Sequence, residues 1–154
     1  MKIGVPTVAI LVIAVAAGCQ STKGSADAGL AASEQWRVRL SWQTETEMNA
    51  FGFYIHRADR PDGETRVVNA KTPVHAAGTT TIPQRYRYYD LDVEPGKTYY
   101  YKLEQVDVDG TSQIIIGADG LVPGEAKPLT PEERDEIQVK GPMFREEATD
   151  QARI

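Results

Sequence analysis

The chain has 154 residues, with 17 Lys and Arg against 22 Asp and Glu, a formal net charge of −5 and a single cysteine. That length accommodates one domain with tails rather than two. An acidic balance without a basic cluster disfavours a nucleic-acid partner, and one thiol leaves no internal disulfide and no thiolate metal site.

The amino terminus carries Lys2, then an almost unbroken apolar run over residues 3–17, then Ala16-Ala17-Gly18-Cys19. A positive start, an apolar stretch and small residues before a cut describe a secretory leader. The run is shorter than the roughly twenty residues a membrane-crossing helix needs, and Pro6 interrupts it. With a cysteine directly after the small residues, the segment resembles a bacterial lipoprotein signal. The resemblance implies removal of residues 1–18, lipidation of Cys19 and attachment to the cell membrane. Gln20, where inner-membrane lipoproteins often carry Asp, points to the outer membrane in a Gram-negative cell. Residues 19–33 are mostly small and polar, and read as a flexible tether spanning roughly 20 Å.

From residue 34 the texture changes. Trp36, Val38, Leu40 and Trp42 alternate with Arg37, Arg39 and Ser41, the period of a half-buried strand. Phe51, Phe53 and Ile55 alternate with Gly52, Tyr54 and His56 in a second strand, so Phe51 is expected on its core face. Residues 66–69 make a short third after the turn signal Pro61-Asp62-Gly63, and residues 86–89 a fourth. Residues 98–108 form a long fifth, with Tyr99, Tyr101 and Leu103 on one face and Tyr100, Lys102 and Glu104 on the other. Asp109-Gly110 turns it into residues 112–116 as a hairpin. Short strands separated by Gly, Pro and Asp indicate an all-β sandwich.

The run from Val93 to Leu103, with Pro95-Gly96 before Tyr99 and Tyr101, resembles the sixth strand of a fibronectin type III domain. Val38-x-Leu40-x-Trp42, Gly52 to Arg57 and Asp107 to Thr111 fit the same order. Residues 44–110, opening on Glu47, Asn49 and Gly52-Phe53, resemble the bacterial variant of that module. The resemblance covers residues 34–122. It implies a fibronectin type III or immunoglobulin-like β-sandwich with disordered termini. It also implies a corner tyrosine at Tyr99, whose hydroxyl bonds a nearby backbone group, and core positions for Trp42, Tyr99, Tyr101 and Leu103. The first strand of such a module has no clear counterpart in residues 24–33, so that edge is expected to be short or missing.

Residues 123–154 contain four prolines and charges of both signs, and are expected to form an acidic, mostly disordered tail. Thr130-Pro131-Glu132-Glu133 is a helix start, but few apolar residues follow it, so an isolated helix there is marginal. Met143-Phe144 suggests a docking peptide; the alternative is a tail packed back over a sheet edge.

No catalytic constellation emerges. His56 falls on the outward phase of its strand, His75 sits in a loop, and no nucleophile elbow or phosphate-cradling glycine loop occurs. Asp107-x-Asp109-Gly110 echoes the start of a calcium loop, and Asp90-x-Asp92 does so more faintly. The distal carboxylate such a loop requires is missing. No enzyme, no metal and no cofactor are therefore expected. Trp36, Tyr54 and Tyr100 are the candidate binding face, although outward aromatics also stabilise sheets by cross-strand pairing. The functional expectation is a lipid-anchored, non-catalytic envelope module recognising a protein or polysaccharide. The alternative is a carbohydrate-binding accessory to a separate envelope hydrolase.

Overall fold

The structure is a computed structural model, and it describes the backbone of residues 9–11 and the whole of residues 34–146. Cys19 and the tether lie outside the described residues, as do residues 147–154. Two antiparallel sheets face each other across an apolar core. The first sheet runs in the order β1 (Ala9–Leu11), β2 (Trp36–Thr44), β6 (Gln84–Asp90) and β11 (Met143–Glu146), with β10 (Lys127–Pro128) also beside β2. The second runs β4 (Arg66–Val67), β3 (Ala50–Ala58), β7 (Thr98–Asp107) and β8 (Ser112–Ile116). In that sheet β5 (Val74–His75) pairs with β3, and β9 (Val122–Glu125) pairs with β7. The one helix among the described residues is α1 (Pro131–Lys140).

The period-two alternation does what it must at a half-buried sheet. Val38, Leu40 and Trp42 of β2 and Tyr86 and Tyr88 of β6 point inward, against Phe53 and Ile55 of β3 and Tyr99, Tyr101 and Leu103 of β7. Trp42 stacks on Tyr86 with centroids 5.4 Å apart and meets Phe53 edge-on at 5.4 Å. Such geometries favour aromatic pairs beyond the area they bury. The Tyr99 hydroxyl accepts the backbone N–H of Glu94 at 2.9 Å, closing the loop ahead of its own strand.

Beyond residue 116 the chain corrects the expectation of a folded region ending at 122 and a mostly disordered tail. Residues 122–125 form β9 on β7, and after Ala126 the chain changes sheets to form β10 on β2. The crossing is tight. A Cβ on Gly124 would stand 2.6 Å from Val38 Cγ1 and 3.1 Å from the Tyr101 ring, so only glycine fits there. Thr130 then caps α1 in a capping box with Glu133, with Pro131 in its first turn. After the helix, β11 pairs with β6, placing Met143 opposite Tyr88 and against the core. Met143-Phe144 is thus an edge strand of the sandwich and not a free docking peptide.

The edge of β2 that a first strand would cover is held by β10 at Trp36 and Arg37 and by β1 at Trp42 to Thr44. Those three β1 residues belong to the segment read above as a leader. Covering edges in this way blocks pairing with other chains.

Removing everything after Gly124 should therefore destabilise the sandwich. It takes away buried Ala126 and Leu129, the inward Met143 and the cover over two edges. The expected loss is at least about 3 kcal/mol, or roughly 10 °C or more in melting temperature by calorimetry. An unchanged melting temperature would show that the segment does not belong to the fold.

Candidate functional site

The aromatic residues singled out from sequence do not converge. Trp36 is inward-phased, sits beside Pro128 and packs against the core. Tyr54 and Tyr100 share the outer face of the second sheet. Tyr54 stands in the middle of the β3–β7 ladder, opposite Glu104, and Tyr100 at its end, opposite Ala58, with the His56–Lys102 pair between them. The ground between them is charged: His56 Nε2 lies 2.7 Å from Glu104 Oε2, with Lys102 opposite His56. Hydrogen bonds from Ser112 and His56 hold Glu104 below the usual carboxylate range. A flat stacking platform for a sugar is not assembled there.

The aspartates take structural work. Asp90 is buried in an ion pair with Arg57 at 2.7 Å, while Asp109 caps the β7–β8 turn by accepting from the Thr111 N–H and hydroxyl. Among the described residues, no group of three or more His, Cys, Asp or Glu is placed to hold a metal ion.

An apolar surface forms instead at the end of the sandwich where three connections meet: residues 45–49, 76–83 and 108–111. Met48 is 72 % exposed, Ile82 63 %, Val108 67 % and Phe51 45 %. Four of the six most exposed large apolar side chains among the described residues thus crowd one end of the molecule. Surface apolar residues are ordinary when scattered, and informative when grouped.

The connections that carry them are braced. Glu47 and Thr80 exchange backbone hydrogen bonds at 2.8 and 2.9 Å, Ala50 N–H donates to Gly78, and Val108 N–H donates to Asn49 at 2.8 Å. Beneath them lies Glu47, a buried carboxylate with each oxygen bonded. Oε1 accepts from the hydroxyls of Thr44 (2.8 Å) and Tyr86, and Oε2 accepts from the Ala77 N–H at 2.7 Å. Asn49 adopts a φ of 55°, a left-handed turn that asparagine tolerates better than most residues. Loops tied this firmly hold their tips in place before a partner arrives, which lowers the ordering cost of docking.

Phe51 corrects the sequence expectation. The alternation places it on the core face with Phe53 and Ile55, but the β3–β7 register shifts between Ala50 and Gly52. Phe51 is the extra residue of that bulge and turns outward, within 6.0 Å of the His75 ring. Gly52 marks the place: a Cβ there would meet the Val74 carbonyl at 2.9 Å. A glycine inside a strand pattern, just after Asn49, was the available signal.

No family model matches the chain, and comparison with curated proteins and with solved structures finds no match.

The tyrosines beneath this end and along the core give a pH dependence. Burial, reinforced by the bond to Glu47, holds Tyr86 well above the ordinary phenol range. Burial does the same for Tyr88 and for Tyr101 beside Asp90, and it pushes Tyr89 up to about 12. The folded state thus keeps protons that the unfolded chain releases near pH ~10. Stability present below that pH is lost as pH rises through the folded values. Tyrosinate absorbance from these four residues should appear together with unfolding and not before it. Tyr86→Phe should cost about 1–3 kcal/mol, since it leaves buried Glu47 short of a donor. Native-state ionisation of all tyrosines near pH ~10 would contradict the placement.

Proposed function

We propose that this protein is a lipid-anchored envelope lipoprotein whose fibronectin type III-like sandwich presents a non-catalytic docking surface to a protein partner. The observation that carries the reading is the braced apolar loop end formed by Met48, Phe51, Ile82 and Val108. A rigid scaffold carrying exposed apolar side chains on its loops is how β-sandwich domains commonly recognise proteins. The rim is acidic, with Glu45 and Asp109 on the same connections and Asp107 at the end of β7 beside them, and this favours a partner with basic residues around an apolar contact. The lipid anchor rests on the Gly18-Cys19 junction and its apolar leader.

Two measurements test this. A photo-crosslinking residue at Ile82 in intact cells should trap a defined protein, and the adduct should disappear with Met48→Glu/Val108→Glu at an unchanged melting temperature. Adducts from Tyr54 or Tyr100 alone would move the site to the sheet face and favour the carbohydrate-module alternative. Cys19→Ser should leave an unprocessed precursor, because only the thiol accepts the diacylglycerol. A processed, acylated Ser variant would end the anchor reading.

A further inference from the structure

The outer face of the first sheet carries a second feature, unrelated to the loop end. Arg37 and Arg39 of β2 and Arg87 of β6 project from it, and Lys127 of β10 sits beside Arg37. Their counter-charges come from the C-terminal segment. Glu133 of α1 takes Arg37 in a two-pronged pair, Nε to Oε2 at 2.8 Å and Nη2 to Oε1 at 2.7 Å, and approaches Arg39 at 3.5 Å. Glu136 accepts from Arg87 Nη1 and from the Tyr89 hydroxyl, each at 2.7 Å, and Glu146 accepts from Arg87 Nη2.

The helix that brings these carboxylates has almost nothing else to hold it. Glu133 is its only buried residue, Val139 is 82 % exposed and Ile137 is half-buried. A helix polar on all sides gains little from burial, so α1 is seated by ion pairs. The Arg87–Glu136 pair is partly exposed, and pairs of that kind are weak and sensitive to competing ions, whereas the two-pronged Arg37–Glu133 pair is largely buried. The arginines also remain incompletely answered. Arg87 Nε is buried without an acceptor, and a groove stays open between α1 and the sheet, lined by these four cations and by the three carboxylates Glu132, Glu133 and Glu136.

We propose that this groove is a phosphate-binding site, with the Glu133 and Glu136 carboxylates of α1 as its resident substitutes. A phosphate group offers a guanidinium the two oxygens Glu133 now supplies, and has a further oxygen for Arg39 or Arg87. Binding displaces α1 and leaves the sheets intact, since β10 and β11 are paired in their own right. The phosphate could be soluble or a lipid headgroup. β2 begins at Trp36, a few residues after the segment read as a membrane tether, so in sequence its Arg37 and Arg39 are the sheet's first cations beyond that tether. Only the headgroup source depends on the anchor reading.

The test is hydrogen exchange of α1 amides in the full chain, in a neutral detergent, with sodium pyrophosphate against sodium chloride at equal ionic strength. Exchange over Pro131–Lys140 should rise at least tenfold in pyrophosphate, with β3 and β7 unchanged. Glu133→Gln/Glu136→Gln should bind pyrophosphate at least tenfold more tightly, and Arg37→Gln/Arg87→Gln should lose binding. Should the first variant not fold, the wild-type exchange comparison decides alone. Equal exchange in the two salts would overturn the proposal. Vesicles separate the sources, using the full chain with Cys19→Ser. More flotation with phosphatidylglycerol than with phosphatidylcholine, lost in Arg37→Gln/Arg87→Gln, assigns the headgroup. Pyrophosphate binding without that surplus assigns soluble phosphate.

Discussion

A buried guanidinium organises this sandwich. Arg57 occupies an inward position on β3, where the alternation calls for an apolar residue, and it is 3 % exposed. Its Nη1 donates to Asp90 Oδ2 at 2.7 Å and to the Asp92 carbonyl at 2.6 Å, and its plane lies over the Tyr99 ring at 4.7 Å. Tyr101 donates its hydroxyl to the same Asp90 oxygen at 3.0 Å. Asp90 ends β6 in one sheet, while Arg57, Tyr99 and Tyr101 belong to the other, so a single charge cluster fixes how the sheets meet. Exchanging such a pair for apolar residues can be neutral, whereas removing one partner alone strands a charge and typically costs 3–5 kcal/mol. The cluster specifies geometry more than it adds stability.

Its counterpart at the opposite end is Glu47 with Thr44, Tyr86 and Ala77. The apolar core therefore lies between two buried polar knots, each built on a carboxylate and a tyrosine hydroxyl. The first knot holds the sheets together, and the second holds the loops. That division lets the loop end present apolar side chains without collapsing them onto the core.

Much of the sandwich was legible because its strands obey a strict period of two. Ser112–Ile116 falls where the sequence put it, and Trp42, Tyr101 and Leu103 face the core as their phase required. What escaped has physical reasons. Phe51 lost its phase to a bulge, which breaks the count by one residue. Strand pairs as short as Val74–His75 or Lys127–Pro128 carry no period at all and exist because a neighbouring edge needs a partner. α1 has no apolar stripe, so only its Thr130 cap announced it; its seat depends on Arg37 and Arg87, far away in sequence. The loop-end surface was invisible for the same reason, being assembled from single residues of three separate connections.

The sheet-changing segment at Gly124 and Ala126 sets the order in which the molecule can be completed. β2 is the first strand of the sandwich proper, yet Trp36 waits for Pro128 and β6 waits for Met143 before their edges are covered. These pairings span much of the chain, and contacts so distant in sequence close slowly. A chain emerging from its amino terminus thus holds uncovered strand edges until Pro128 and then Met143–Glu146 have appeared. Such intermediates are prone to join edges with one another. Keeping this protein apart from its copies until β10 and β11 are in place is a demand written into its topology.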